Sequence, residues 1–139
     1  MATDSTDVTA GTNATATQYN NLRGDLILGK NVFGQEVDGA TITIDWSSKT
    51  KGKYRQITLM GNRTFVFTNP TPGQVLVLRV IQDGTGGRTA TWPSGITWPG
   101  GSAPTLSSGA SKIDMFCFIC TSISPSNAYD AAIVTMGNS

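Results

Sequence analysis

Residues 64–101, TFVFTNPTPGQVLVLRVIQDGTGGRTATWPSGITWPGG, decide the fold of this chain. Two prolines and a glycine within residues 69–73 fix a reversal of the chain direction. The run that follows, residues 74–82, is apolar on almost both faces, which predicts a central strand of a packed sheet or sandwich. Residues 83–87 have the glycines of a turn but lack the spacing of a phosphate-binding loop, so they are predicted to form a hairpin turn.

Short apolar runs separated by turns continue on both sides of this stretch. Residues 41–46 and 54–60 alternate with a period of two, and residues 112–122 form a second long apolar run. The pattern gives about eight strands at short spacing, without helices between them. The sequence therefore predicts an all-β fold, a jelly-roll-like β-sandwich of about eight antiparallel strands whose two sheets pack face to face.

The N-terminal residues have a different character. Residues 1–14 are small, polar and aperiodic, which predicts a flexible arm. Residues 15–28 carry the helical periodicity of the chain and predict one short helix. The apolar face of this helix comprises Tyr19, Leu22 and Leu26. The predicted organisation is thus an arm followed by a single domain over residues 15–139, with the short helix at its start.

Composition limits the kinds of partner that the chain is expected to have. Among 139 residues, 38% are hydrophobic and 14% are charged, and the net charge is +1. A surface poor in Lys and Glu costs less to desolvate, which suits packing against other proteins. A nucleic-acid or anionic-membrane surface needs clustered basic residues, so neither partner is expected. The local basic group is interpreted as a solvated loop, with contact to an acidic protein left open. It comprises Lys49, Lys51, Lys53 and Arg55.

The residue inventory argues against catalysis. The chain has no histidine, so every His-dependent triad is excluded. Cys117 and Cys120 lie three apart in a predicted strand, so their side chains should face opposite ways and neither pair nor share a metal. Glu36 and Asp38 share one loop, where we expect solvated carboxylates and not a catalytic pair. We therefore expect no enzyme activity, no cofactor and no metal site. We also expect no signal peptide and no membrane span.

Trp92 and Trp98 form a candidate aromatic rim, and three interpretations of it remain open. Each tryptophan is followed by proline. Indole rings can stack against the apolar faces of sugars, so the pair could be a glycan platform. Alternatively, the two rings are anchors that pack over the open end of the sandwich. An exposed pair would instead indicate a protein interface.

Two stretches resemble modules of tailed-phage virion proteins. Residues 11–28, GTNATATQYNNLRGDLIL, resemble the short N-terminal helix of many phage structural proteins. Residues 65–118, which include NPTPGQVLVLRVIQDGTGGRTATWPSGITWPGG, are similar to a β-module of tail fibres, baseplate-associated proteins and head decoration proteins. Tail-fibre modules usually sit at the end of a long shaft, whereas these two stretches cover more than half of this chain, so it resembles most the capsid cement or decoration proteins of tailed phages.

This resemblance implies a structural role in the virion, on the outer capsid surface, with assembly in the host cytoplasm. The implied partners are the major capsid protein, whose neighbouring subunits the chain would bridge, and further copies of itself in a dimer or trimer. The predicted arm could add a strand to a neighbour's sheet, and many weak contacts would act together. The candidate partner contacts are Tyr19, Leu22, Arg23, Leu26, Lys51 and Lys53. The alternative function is a tail-fibre or baseplate module that binds a receptor or glycan.

Overall fold

The computed structural model describes Phe33–Ser139. The predicted arm (residues 1–14) and the predicted helix (residues 15–28) lie outside these residues, so both stay predictions. The same holds for the predicted domain over residues 15–139, which extends beyond the described part.

Between Phe33 and Ser139 the chain forms nine strands, which confirms the all-β class predicted from the sequence. They are β1 (Gly34–Gln35), β2 (Thr41–Asp45), β3 (Tyr54–Leu59), β4 (Arg63–Thr68), β5 (Val75–Gln82), β6 (Ala90–Thr91), β7 (Ile96–Thr97), β8 (Ile113–Ser122) and β9 (Ala128–Asn138). A short 3-10 turn, Pro99–Gly101, follows β7. The large sheet has the order β1-β3-β5-β8-β9-β7, and the small sheet has the order β2-β4-β6.

The first six strands alternate between the two sheets. The odd-numbered strands join the large sheet, the even-numbered strands join the small sheet, and neighbours within each group are parallel. Arg55 of β3 pairs with Gly34 of β1 on one side and with Leu78 of β5 on the other. Successive passes of the chain therefore stack in register, as the coils of a solenoid do.

Antiparallel pairing is found at two places in the described part of the chain, between β5 and β8 and between β8 and β9. The other five pairings are parallel. The predicted jelly roll of about eight antiparallel strands is therefore not confirmed. The physical reason is that prolines and glycines mark where a chain reverses, but they do not determine which sheet the next strand joins.

The loop at residues 83–87 illustrates this point. It connects β5 of the large sheet to β6 of the small sheet, so the predicted hairpin turn is wrong. The Asp83 carboxylate accepts hydrogen bonds from the backbone N–H groups of Thr85 and Gly86 and from the Arg88 side chain. The Gln82 side chain holds the backbone of Arg88 on both sides, donating to its carbonyl at 2.9 Å and accepting from its N–H at 2.8 Å. The corner is thus fixed by side chains at its two ends.

The hydrophobic core lies between the two sheets. Strand β5 alternates buried and half-buried positions along its whole length, and it lies between β3 and β8 as predicted for a central strand. The core residues are Ile42, Ile44, Trp46, Ile57, Leu59, Phe65, Phe67, Leu76, Leu78, Val80, Trp98, Leu106, Phe116, Phe118, Cys120 and Tyr129. Burial of each large apolar side chain contributes about 1.5–3 kcal/mol, so this cluster is the main source of stability.

Candidate functional site

An aromatic cluster occupies one end of the core and includes both tryptophans of the predicted rim. Trp92 stacks on Phe65 with ring centroids 4.8 Å apart and planes 11° apart. Trp98 is 8% exposed and meets Trp92 edge to face at 5.3 Å. Trp92 is half-buried against the same core. This packing agrees with the interpretation of the pair as anchors, and it leaves the two rings without a shared exposed face for a sugar.

Next to this cluster lies an open pocket of about 310 Å³. The pocket forms because only two residues of β4, Arg63 and Thr64, pair with β6. Beyond this pairing, the chain diverges from β4 at Pro93. The remaining wall comes from the turn before β9 and from the first part of that strand. The lining residues are Phe65, Val66, Phe67, Pro93, Ser94, Ser126, Asn127 and Tyr129. The pocket therefore has aromatic walls and neutral polar groups.

Tyr129 is the buried polar residue of this pocket. Its ring is 2% exposed and contacts Trp46 at 5.2 Å and Phe67 at 5.3 Å between centroids. Its hydroxyl has no hydrogen-bond partner among the described residues. Burial raises the pKa of Tyr129, the nearby Cys120 raises it further, and the approach of the Asn127 side chain partly offsets both. The hydroxyl is enclosed by the core, and its raised pKa keeps it neutral.

A second, polar pocket of about 200 Å³ lies beside the edge of β2. Arg55 of β3 is fully buried and donates to Glu36 at 2.7 Å and to the backbone carbonyl of Asp45 at 2.8 Å. The second oxygen of Glu36 accepts from Lys51 at 2.8 Å. Arg55 therefore connects the edge strand of the small sheet to the large sheet. Glu36 is paired with both Arg55 and Lys51, whereas the carboxylate of Asp45 accepts hydrogen bonds from Ser47 and Asn69.

This arrangement corrects one expectation and locates two predicted contacts. Glu36 is 5% exposed and ion-paired, so the expected solvated carboxylate is wrong for this residue. Asp38 is half-buried and pairs with Arg63, whose hydrogen bond lowers the pKa of Asp38. Lys51 is engaged with Glu36, whereas Lys53 is exposed and its ammonium lies 5.4 Å from the centre of the Tyr54 ring. Only Lys53 of these two points freely into solvent.

The outer face of the large sheet is the most distinctive surface of the described residues. On β5 and β8 it consists of the positions that alternate with the buried core positions. These residues form the cross-strand pairs Val75 with Ile119, Val77 with Cys117, Arg79 with Met115, and Ile81 with Ile113. Ile119 is 42% exposed, and the other members are half-buried. Seven of these eight side chains are apolar, and Arg79 donates to Gln56 on the neighbouring strand.

The remaining predicted residues divide into two groups. Cys117 and Cys120 are free thiols on opposite faces of β8, as the spacing predicted. The other predicted partner contacts lie outside the described residues. They are Tyr19, Leu22, Arg23 and Leu26.

Comparison with known proteins found no matching family model, no matching curated protein and no matching solved structure. In Phe33–Ser139 there is no cluster of three or more His, Cys, Asp or Glu side chains placed to hold a metal ion. The same part of the chain has no helix that is long and apolar enough to cross a membrane.

Sequence reasoning missed the aromatic pocket and the buried ion pair. The alternation in β4 indicates that Phe65 and Phe67 share one face, and Asn127 lies two residues before Tyr129. Neither signal shows that β4 meets the turn before β9, because that contact joins segments about sixty residues apart in the chain. The ion pair between Glu36 and Arg55 depends on the pairing of β1 with β3, which the local sequence pattern does not show.

Proposed function

We propose that this chain is a structural virion protein, a capsid cement or decoration protein that binds the outer face of a phage head and bridges neighbouring major capsid subunits. The observation that carries this proposal is the apolar outer face of the large sheet. The resemblance of residues 65–118 to phage virion β-modules supports the same role. The proposal also includes self-association into a dimer or trimer.

The outer face has the composition of a protein-binding surface. Protein interfaces are depleted of Lys, Glu and Asp in their centre and enriched in apolar side chains and Met. Seven apolar residues surround Arg79 on this face. Such a surface gains free energy when a partner removes it from water, and contiguous apolar area of this kind marks interaction sites.

The small sheet presents the opposite surface to solvent. Its outward positions are exposed and mostly threonine, comprising Thr41, Thr43, Thr64, Val66 and Thr91. Threonine favours strands and remains hydrated, so this side needs no partner. A cement protein needs one surface that binds the shell and another that faces solvent. Many copies on one capsid lattice would convert weak individual contacts into stable decoration.

A capsid-binding assay tests this proposal. Undecorated phage heads are incubated with the full chain, and the bound copies are measured after sedimentation. Replacing Val77 and Ile119 with threonine should reduce occupancy about tenfold or more at limiting protein concentration, because two apolar contacts are lost from the binding face. The matched control is Val37→Thr, since Val37 is 79% exposed and lies outside this face. Equal occupancy of the double variant and the control would contradict the proposal.

Two further tests, the deletion of residues 1–14 and the position of the gene, separate the capsid role from the tail-module alternative. Deleting residues 1–14 should weaken capsid binding without changing the unfolding of the β-domain, because the core lies within Phe33–Ser139. The tail-module alternative gains no support from Trp92 and Trp98, whose rings pack in the core. A gene position beside the major capsid gene supports the cement role. A position among tail genes, together with binding to host cells in place of capsids, would favour the alternative.

A further inference from the structure

Arg79 differs from the other arginines of Phe33–Ser139, because no carboxylate of this part of the chain pairs with it. The other three each donate to a carboxylate, and they are Arg55, Arg63 and Arg88. Arg79 donates instead to the neutral amide oxygen of Gln56 at 3.0 Å. A guanidinium group has several N–H donors, so most of those on Arg79 have no partner among the described residues. These donors are available to another molecule.

The surroundings of Arg79 on the outer face of the large sheet are uncharged. The side chain is half-buried. Its cross-strand neighbours are Gln56 on β3 and Met115 on β8. Val77 and Ile81 flank it along β5. Because apolar surroundings screen a charge less than water does, an opposite charge brought to this position would be attracted strongly. Arginines in such positions are frequent anchors of protein interfaces.

The side-chain carboxylates of the described residues do not supply this opposite charge. Asp114 of β8 is buried on the core side, where it accepts hydrogen bonds from two backbone N–H groups. Asp130 of β9 pairs with Ile119 and so shares the outer face. It lies two strands across and four residues along from Arg79, about 16 Å away by strand geometry, which is beyond the reach of a salt bridge. The others are held elsewhere by neighbouring side chains, and they are Glu36, Asp38, Asp45 and Asp83.

We propose that the protein surface which binds this face carries an acidic side chain within an apolar patch, and that its carboxylate pairs with Arg79. Because this proposal rests on the proposed function, the carboxylate belongs to a capsid subunit. One guanidinium can donate two parallel N–H bonds to one carboxylate, which fixes the position and the orientation of the partner. The apolar side chains around Arg79 would exclude water from the pair and so strengthen it.

Other partners match this face less well. A symmetric contact between two copies of the chain uses the same patch twice, so it would bring two Arg79 side chains into one apolar region. Like charges placed opposite each other at an interface repel. A phosphate-bearing partner requires clustered Lys and Arg, whereas Arg79 is a single cation among apolar side chains. Charge complementarity therefore favours an acidic protein surface.

Sedimentation with undecorated heads tests the pair from the side of this chain. Arg79→Met should lower the affinity of the full chain about thirtyfold or more, because it leaves the partner's carboxylate buried without a counter-charge. A face that binds through apolar area alone predicts unchanged or tighter binding, since methionine adds apolar surface. The matched control is Lys49→Met, which removes one positive charge from an exposed turn and should leave binding unchanged.

Neutralising the heads tests the same pair from the partner's side. Heads whose surface carboxylates have been converted to neutral amides, and whose integrity is checked by electron microscopy, should bind the wild-type chain as weakly as untreated heads bind Arg79→Met. The treatment should weaken binding of Arg79→Met little further, because two changes to one interacting pair are not additive. Thermal unfolding of Arg79→Met should match that of the wild type, since the hydrogen bond to Gln56 lies on the outer face.

The outcomes separate this pair from the capsid role. Wild-type or tighter binding by Arg79→Met, together with reduced binding after replacement of Val77 and Ile119 by threonine, would overturn the carboxylate partner and leave the capsid role intact. Absence of wild-type binding to heads would overturn the capsid role and this partner with it. If Arg79→Met altered self-association and left binding to heads unchanged, the face would bind a second copy and the proposed pair would be wrong.

Discussion

The two outer faces of this β-fold differ although their inner faces share one core. The small sheet presents Thr41, Thr43 and Thr64 to solvent, while the large sheet presents apolar pairs such as Val77 with Cys117. Both sheets alternate buried and outward positions with the same period of two. The alternation along each strand therefore determines whether a side chain points into the core or outward. The chemical character of the outward residues then determines what each face can contact. On the proposed function, the outer face of the large sheet binds a partner and that of the small sheet stays in water.

The largest expected effect comes from breaking the link between the two sheets. Arg55→Met removes the buried cation that holds Glu36 and the end of β2, and it leaves Glu36 paired only with the partly exposed Lys51. Loss of one partner from a buried ion pair costs about 3–5 kcal/mol. Urea unfolding measures this loss as a lower transition midpoint.

Lys51→Met is the matched control for Arg55→Met. It removes the other cation of the same carboxylate, but the Lys51 side chain is 35% exposed, so we expect a cost of at most about 1 kcal/mol. Equal destabilisation by the two variants would show that Arg55 does not connect the sheets as described.

The next largest effect is expected when polar residues replace apolar ones on the outer face of the large sheet. Replacing Val77 and Ile119 with threonine should weaken association with phage heads about tenfold, because two apolar contacts are removed from the proposed capsid-binding face. Unfolding stability should change by less than about 1 kcal/mol, since neither residue lies in the core cluster. Sedimentation with undecorated heads over a concentration series measures the association.

The control for this experiment makes the opposite change on the small sheet, combining Thr43→Val with Thr64→Val. These residues lie on the exposed outer face of the small sheet, which the proposed function leaves in solvent. Their replacement should not alter the proposed association with phage heads. If both double variants behave alike, the contrast between the two faces has no functional meaning.

The comparison also shows how far the sequence could predict this molecule. Near-continuous apolar runs identified β5 and β8 as long strands, and β5 as a central one, because such runs are apolar on almost both faces. The same pattern could not tell parallel from antiparallel neighbours. The turns at residues 69–73 and 83–87 turn the chain from one sheet into the other, and a turn has the same composition whether it joins strands of one sheet or of two.

The candidate sites were less predictable than the strands. Trp92 and Trp98 were singled out from sequence, but their position in the core depends on contacts with Phe65 and Phe116, which come from distant strands. Nothing in the sequence distinguishes Tyr129, because a tyrosine at a strand start is ordinary. Its burial and the absence of a hydrogen-bond partner for its hydroxyl among the described residues are properties of the assembled fold.

A smaller effect is expected from the corner that joins the sheets at residues 83–87. Hydrogen bonds from Arg88, Gly86 and Thr85 lower the pKa of Asp83 to about 2. An ordinary aspartate in the unfolded chain has a pKa of about 3.9. The folded state is therefore favoured when Asp83 is ionised, and this contribution is complete above the unfolded pKa. It is lost progressively as the pH falls from about 4 to about 2.

Asp83→Asn tests this sign. Between about pH 4 and pH 2, the melting temperature of the variant should fall less than that of the wild type, because the variant has no carboxyl group at this position to protonate. Asp130→Asn, at an exposed position on β9, is the control and should follow the wild-type curve. A steeper decline in Asp83→Asn than in the wild type would contradict the assignment of Arg88 as its partner.

The smallest expected effect is a difference in thiol reactivity between the two cysteines of β8, whose side chains point to opposite sides of the strand. Cys117 is half-buried on the outer face of the large sheet, opposite Val77. Cys120 is buried on the inner side, where burial raises its pKa. Because the thiolate is the reactive form, a maleimide should modify Cys117 in the dispersed native chain and Cys120 only after unfolding.

Assembly should then change the reactivity of Cys117 alone. If the outer face of the large sheet contacts capsid subunits or other copies of the chain, Cys117 becomes protected in the bound state. Mass spectrometry of the modified chain before and after capsid binding measures this protection, and Cys117→Ala identifies any labelling at Cys120. Unchanged labelling of Cys117 on the capsid would place the contact on another surface. The exposed β9 residues Ile133 and Val134 would then be the next to replace, because they lie outside the face that this thiol reports.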